Sequence, residues 1–288
     1  MKPASVGLVS YYVRHDAHEP ESDGQQERIT ESTETVREVA ELLDGVDVGL
    51  RINPEAAEPI GREGVDVEEM AGEIDLLVTV GGDGTVLRAL AALNEPTPVL
   101  GVNTGRVGFL ADVEPRDAVA AVETALEGFD VERRGRLSVE VDGERLPPAL
   151  NETVIVTSRP AKILAFDVHH EGELVESIRS DGVVVATPTG STAYSMSAGG
   201  PLVQPEVDSK LVVPLAPFRV NTAPWVLAAD GETTVTPTRV EREASVVVDG
   251  TDVAEVGRGD EVVFGRADDA LFVDTGRSFF DRVREKLY

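Results

Sequence analysis

The sequence predicts an α/β N-terminal domain with a parallel sheet, followed by a mostly antiparallel, all-β C-terminal domain. Three observations carry this. Apolar β-rich runs alternate with helical patterns as far as Gly128. From Leu137 onward, short β runs follow one another with few helices and are punctuated by Asp142-Gly143, Glu171-Gly172 and Asp249-Gly250, pairs that suit tight hairpins. One strand-to-helix junction in the first half is Gly81-Gly82-Asp83-Gly84. The change of pattern puts the domain boundary between 110 and 130.

Val6–Val13 reads as the first strand, and the acidic segment 14–26 as loop. Ile29, Val36, Val39, Ala40 and Leu43 share a helical face that Asp44-Gly45 ends. Val46–Ile52 is the second strand, and Asn53–Gly64, rich in Pro, Gly and Glu, the next loop. Ile74–Val78 and Pro98–Asn103 are buried strands on either side of a short helix beginning near Thr85. Pro115–Gly128 reads as one helix, with Pro in its first turn and Ala118, Val119, Val122, Ala125 and Leu126 inward. The second half offers strands at 137–141, 154–157, 163–168, 182–187, 211–215, 233–236, 245–248, 260–264 and 270–273. Arg277–Tyr288 reads as a closing helix with Phe280, Val283 and Leu287 on one face.

The glycines at 81, 82 and 84 leave the backbone bare, and amides at a helix N-terminus suit phosphate. Asp83 does not help hold an anion by its charge. It is open to three roles: accepting a proton from an attacking hydroxyl, holding a metal ion, or satisfying local amides in a tight turn. By the rule for open parallel sheets, a ligand sits at the carboxyl ends of the strands, where both Gly81–Gly84 and Asn103-Thr104-Gly105-Arg106 fall. A second glycine-bearing stretch, Arg179 to Pro201, runs from a strand into a turn of hydroxyl and small residues. Its hydroxyls and amides suit ribose, amide or phosphate groups, and Tyr194 suits ring stacking. His169-His170-Glu171 is not a metal site, because neighbours on a strand point to opposite faces; the three read as exposed.

Composition excludes several classes. The chain has no Cys, so neither a disulfide nor a thiolate-bound zinc is available. No apolar run approaches the roughly 18 residues of a membrane span. The N-terminus carries no signal-peptide pattern, which predicts a cytoplasmic protein. Acidic residues number 53 against 26 basic ones, a net charge of −27 over 288 residues. Such a surface repels nucleic acid and anionic lipid at low salt. It is consistent with life at high ionic strength, where screening shortens to about 3 Å at 1 M.

Taken together, Gly81-Gly82-Asp83-Gly84-Thr85, the stretch Gly101 to Leu110, Asn151-Glu152 and Asp181 to Pro201 resemble the NAD kinase family, in that family's order. Thr187-Pro188-Thr189-Gly190-Ser191-Thr192-Ala193-Tyr194-Ser195 is the specific part; the Gly-Gly-Asp-Gly turn is shared with diacylglycerol-type lipid kinases and phosphofructokinases. The resemblance implies the NAD kinase-like two-domain fold, divided as 1–112 and 113–273, with 274–288 packing back on the first domain. It implies transfer of the terminal phosphoryl group of ATP, or of polyphosphate, to the 2′-hydroxyl of the adenosine ribose of NAD. It further implies substrate-bound Mg²⁺ and a homodimer or homotetramer with shared sites; no nucleic-acid or membrane partner is expected.

Carried over by position, Asp83 resembles the proton acceptor, and Gly81, Gly82 and Gly84 make room for phosphates. Arg88, one helical turn past Asp83, could reach a phosphate or pair with a surface carboxylate. Lys162 lies where the family often has a basic residue and is open to a phosphate contact or a solvated role; Asn151 and Glu152 resemble the pair that holds ribose hydroxyls. Asp181 resembles a dinucleotide contact, with Arg179 a phosphate or carboxylate partner beside it. Thr192, Ala193, Tyr194, Ser195, Met196, Ser197 and Ala216 resemble the pocket wall, and Thr251 stands where the family often has Gln. Two other readings remain at this point, a lipid kinase sharing the same turn and a nucleotide-binding regulator without catalysis.

Overall fold

Apolar runs that end in polar, glycine-bearing turns pack as strands, and each half of the chain does this differently. The computed structural model describes residues 1–11, 23–93, 95–105, 108–157, 164–219, 221–240 and 244–287. It divides into two units, Met1–Arg133 with Ala270–Tyr288, and Arg134–Asp269.

In the first unit the chain runs β1 (Ser5–Val9), α1 (Asp23–Asp44), β2 (Gly49–Ile52), α2 (Pro54–Ala57), α3 (Val67–Met70), β3 (Leu76–Gly81), α4 (Asp83–Ala92), β4 (Val99–Asn103) and α5 (Ala118–Glu127). The strands lie in the order β2-β1-β3-β4, all parallel, and the end of the chain's last strand adds to β4 through Phe272 opposite Val99. Strand order reverses between β1 and β3, the crevice where open sheets bind ligands. β3 is buried along its whole length. Val36, Val39, Ala40 and Leu43 of α1 and Val122 and Ala125 of α5 join Val6, Leu8, Val78 and Leu100 in one core. Each fully buried Val or Leu contributes about 1.5–3 kcal/mol.

Several expectations need correction here. Segment 53–64 is not a plain loop: Asn53 and Pro54 start α2, a 3₁₀ turn follows over Glu58–Ile60, and Ala56 and Ala57 are buried. Pro at the first helical position suits a helix start as well as it suits a loop. Asp23–Gln26 belongs to α1, while the remainder of the predicted loop lies outside the described residues. The second strand begins at Gly49, after a turn. The predicted helix from Pro115 is a 3₁₀ turn, Pro115–Asp117, followed by α5. The C-terminal helix, Phe279–Leu287, buries Phe279 and Arg282, whereas Phe280 is half exposed. Arg282 is the reason the apolar face was misread. Its guanidinium is buried in an ion pair with Asp112, so a charged residue occupies the inward position.

The second unit holds β5 (Val131–Val141) from Arg134 onward, β6 (Glu144–Ala149), β7 (Glu152–Thr157), β8 (Leu164–His170), β9 (Glu173–Ser180), β10 (Gly182–Ala186), α6 (Tyr194–Ser197), β11 (Ser209–Leu215), β12 (Trp225–Ala228), β13 (Thr233–Arg239), β14 (Ala244–Val248), β15 (Thr251–Val256) and β16 (Val262–Val273) as far as Asp269. One sheet runs β12-β11-β10-β7-β14-β15, every pair antiparallel. The other runs β16-β13-β8-β9, with β5 on β16 and β6 on β5. Ile155, Val183, Val185, Val212 and Val246 of the first sheet pack with Phe166, Val168, Val235 and Phe264 of the second. β10 is buried on both faces, because Val184 and Ala186 point into a further cluster with Leu211, Val213 and Leu215, against which Ala198 and Val203 pack. The strands predicted at 260–264 and 270–273 are one, β16, its solvated middle having masked its continuity. His170 and His169 are half-buried instead of exposed, and the His170 ring meets the Thr233 hydroxyl at 2.9 Å.

Lys210 on β11 is fully buried and donates to the carbonyls of Gly231 and Phe264. Burial pushes its ammonium down to about 8, against the attraction of Glu171, Glu232 and Asp230. The unfolded chain, in which Lys titrates near 10.5, then binds more protons between about pH 8 and 10.5. The stability contributed by this residue therefore rises with pH across that interval. Urea unfolding of the wild type and Lys210→Met should show the wild-type midpoint gaining on the variant as pH rises from about 8 to about 10, inside that interval; a constant difference contradicts it.

Candidate active site

Gly81 ends β3 and Gly82 caps α4 in extended conformation, so Asp83 is the first residue of the helix. Gly84 faces open space. The Asp83 carboxylate is not bonded to the amides of its own turn. It accepts from three consecutive amides further along the chain: Phe109 N at 2.6 Å on Oδ2, and Leu110 N at 3.0 Å and Ala111 N at 3.3 Å on Oδ1. A carboxylate offers about four lone-pair sites, so one on Oδ2 remains. The approach depends on Gly108, where a Cβ would stand 2.5 Å from Asp83 Oδ1. Thr104 N donates to the Gly81 carbonyl at 3.2 Å, tying the end of β4 to the end of β3.

Tyr11 follows closely after β1 and lies beside the start of α4. A cavity of about 230 Å³ is lined by Tyr11, Gly82, Gly84, Thr85 and Arg88. The Arg88 guanidinium lies 3.8 Å over the Tyr11 ring and 3.5 Å from Glu55 Oε1. A larger cavity of about 890 Å³, whose lining includes Asp112, Asp130, Asp274 and Arg277, contains none of the predicted site residues. Lys286 of the C-terminal helix reaches the loop that grips Asp83: its ammonium is 3.5 Å from the Ala111 carbonyl and 5.4 Å from the Phe109 ring centre. Burial lowers its pKa, opposed by the charges of Asp112 and Asp83. Sequence reasoning missed Lys286, Arg282 and Asp112, and only the charges spaced along the closing helix hinted at them.

In the second unit, Asn151 and Glu152 are each 8% exposed at the head of β7. The turn after β10 lies on them. Thr187 N donates to the Asn151 carbonyl at 2.8 Å, and Thr187 Oγ1 donates to the Leu150 carbonyl at 2.6 Å. Gly190 is required there, since a Cβ would fall 2.1 Å from the Asn151 carbonyl oxygen. Burial, reinforced by the charge of Asp249, pushes the Glu152 carboxyl up to about 7, while the Tyr194 amide opposes the rise. Glu152 Oε2 is buried without a hydrogen-bond partner among the described residues. Thr192 and Ser195 are buried, Ala193 and Met196 half-buried, and Tyr194 and Ser197 exposed.

Arg179, Asp181 and Ala216 form a separate group where β9 turns into β10 beside the end of β11. Asp181 N donates to the Leu215 carbonyl at 2.9 Å and Phe218 N to the Arg179 carbonyl at 2.8 Å. The Arg179 guanidinium lies 5.0 Å from the Phe218 ring centre, and Ala216 adopts a left-handed φ of 46°. Thr251 is exposed at the start of β15. Lys162 lies outside the described residues. Among the described residues no three His, Asp or Glu side chains converge as a metal site, and no helix is long and apolar enough to cross a membrane.

The fold agrees with what the chain resembles elsewhere. Residues 13–129 match the ATP-NAD kinase N-terminal domain and residues 150–273 the ATP-NAD kinase C-terminal domain. An NAD kinase of Methanosarcina mazei is 42% identical over 89% of this chain and 90% of its own. One of Methanothermobacter thermautotrophicus is 41% identical over 90% of this chain and 93% of its own. Among solved structures, an NAD kinase from Archaeoglobus fulgidus in complex with ATP is 31% identical, covers 97% of this chain and 98% of its own, and superposes with a TM-score of 0.73. Yeast NADH kinase complexed with NADH, at 24% identity, shares the fold, with a TM-score of 0.81 over 98% of this chain and 87% of its own. With both of its halves matched and relatives above 40% identity along most of its length, the chain belongs to the ATP-NAD kinase family.

Proposed function

We propose that this chain is an NAD kinase that moves the terminal phosphoryl group of ATP to the 2′-hydroxyl of the adenosine ribose of NAD, giving NADP. The observation that carries the chemistry is the state of Asp83. Three amides hold its carboxylate in one orientation and stabilise its charge, and a lone-pair site on Oδ2 is left to receive the hydroxyl proton. Phosphoryl transfer asks the protein chiefly for positioning and charge compensation, and no covalent nucleophile is needed. Bare amides at Gly82 and Gly84 and the guanidinium of Arg88 beside them suit the donor's phosphates. Asn151 and Glu152 suit ribose hydroxyls, and the Thr192–Ser197 turn suits the dinucleotide's rings. The match of residues 150–273 to the family's C-terminal domain disfavours a lipid kinase.

Metal enters as part of the substrate. With both Asp83 oxygens already accepting amides and no carboxylate cluster among the described residues, Mg²⁺ is best held by the triphosphate and water. Polyphosphate is the alternative donor. We further propose a cytoplasmic homo-oligomer adapted to high salt, on the strength of the −27 net charge and the family membership.

Asp83→Asn should cost at least about 100-fold in turnover while NAD binding, followed by calorimetry, stays within a few-fold; wild-type turnover rules out Asp83 as the base. Chelation of divalent ions should abolish NADP formation and added Mg²⁺ restore it; full activity in chelator contradicts the metal's role. The thermal midpoint should climb steadily as KCl is raised from about 0.1 M to about 2 M; a flat response contradicts the salt-adapted surface.

A further inference from the structure

We infer that Asp249 is a positioning residue for the dinucleotide: it grips the head of β7 so that Asn151 and Glu152 present their side chains in one fixed arrangement. This rests on the reading of Asn151 and Glu152 as ribose contacts.

The Asp249 carboxylate accepts from three consecutive amides, Leu150 N at 2.7 Å on Oδ2, and Asn151 N at 2.8 Å and Glu152 N at 3.0 Å on Oδ1. Its own amide donates to the Glu152 carbonyl at 3.0 Å. Both backbone and side chain of one residue therefore hold the segment that carries the two predicted contacts. Turn chemistry does not demand this. Asp142-Gly143, Glu171-Gly172 and Asp249-Gly250 all have positive φ at both positions, as two-residue hairpins require. Asp142 accepts from the single amide of Glu261, and Glu171 from that of Glu232. Asn would serve the turn at 249 as well as Asp does. It could not serve the three amides, because its amide group would present donors to a donor.

The same carboxylate also acts on Glu152 by its charge. The groups facing this pair are Asp249 and the Tyr194 amide on Glu152, and Arg136 on Asp249. Burial raises the Asp249 pKa, while its three amides and then Arg136 favour the anion. Burial, and then the charge of an anionic Asp249, keep a proton on Glu152 toward neutral pH, so a buried carboxyl whose Oε2 has no partner among the described residues can donate to, as well as accept from, a sugar hydroxyl.

The test is steady-state kinetics of the full chain with NAD and Mg-ATP from about pH 5.5 to 8.5, bracketing the Glu152 titration. Asp249→Asn should raise KM for NAD about tenfold or more with KM for ATP unchanged. It should also move the inflection of kcat/KM for NAD near pH 7 to lower pH, whereas Asp249→Glu, which keeps the charge, should leave the inflection in place. Asp142→Asn, at a turn of the same geometry, should change neither. If Asn151→Ala and Glu152→Gln raise KM for NAD while Asp249→Asn leaves both KM and inflection alone, the positioning role is overturned and the ribose reading stands. If Asn151→Ala and Glu152→Gln also leave KM for NAD unchanged, the ribose reading itself fails, and the positioning role with it. Should Asp249→Asn not fold, Asp249→Glu carries the comparison. It keeps both acceptor oxygens, and Glu171 shows that Glu tolerates such a turn: a raised KM with the inflection retained supports the role, and a wild-type KM overturns it.

Discussion

A carboxylate satisfied by a row of backbone amides is the interaction on which each unit's candidate chemistry depends. Asp83 holds Phe109, Leu110 and Ala111 in this way, and Asp249 holds Leu150, Asn151 and Glu152. Charge-assisted bonds of this kind are about twice as strong as neutral ones. They also work in both directions. The acid fixes a short run of backbone, and that run fixes the acid's orientation. In the first unit the beneficiary is the acid, poised at the start of a helix. In the second it is the gripped segment, because it bears Asn151 and Glu152, the two proposed ribose contacts.

Much of the architecture could be read from the residues because the signals were local. β3 and β10 are continuous apolar runs, and both are covered on two faces. The three acid-glycine pairs make hairpins because only certain residues accept left-handed φ without strain. Where the reading failed, a tertiary partner overrode a local pattern. The closing helix looked apolar on the side of Phe280, but the ion pair of Arg282 with Asp112 turned a charged face inward. β16 looked like two strands because Arg266, Asp268 and Asp269 interrupt it, and those side chains are accommodated at its solvated middle.

The candidate site was legible at the level of motifs and illegible at the level of partners. Gly-Gly-Asp-Gly stands out as a bare strand-to-helix turn, yet nothing near position 83 says which amides its acid meets, since they come from 26 to 28 residues away. Asp249 read as a turn residue because Asp-Gly is sufficient for a turn, and the demand for a second acceptor oxygen exists only once β7 lies beside it. Lys286 was hidden for the same reason, being separated by 175 residues from the carbonyl it reaches.

Gly108 carries a wider implication. The room for a single methyl group is missing there, because the nearest atom is the oxygen of the acid itself. An evolutionary lineage that has abandoned the reaction can therefore keep its glycine-rich signature intact and still betray the loss at this inconspicuous position. Genome surveys that look for degenerate members of such a lineage by inspecting the signature alone would overlook them, whereas a side chain at the equivalent of 108 would mark them out.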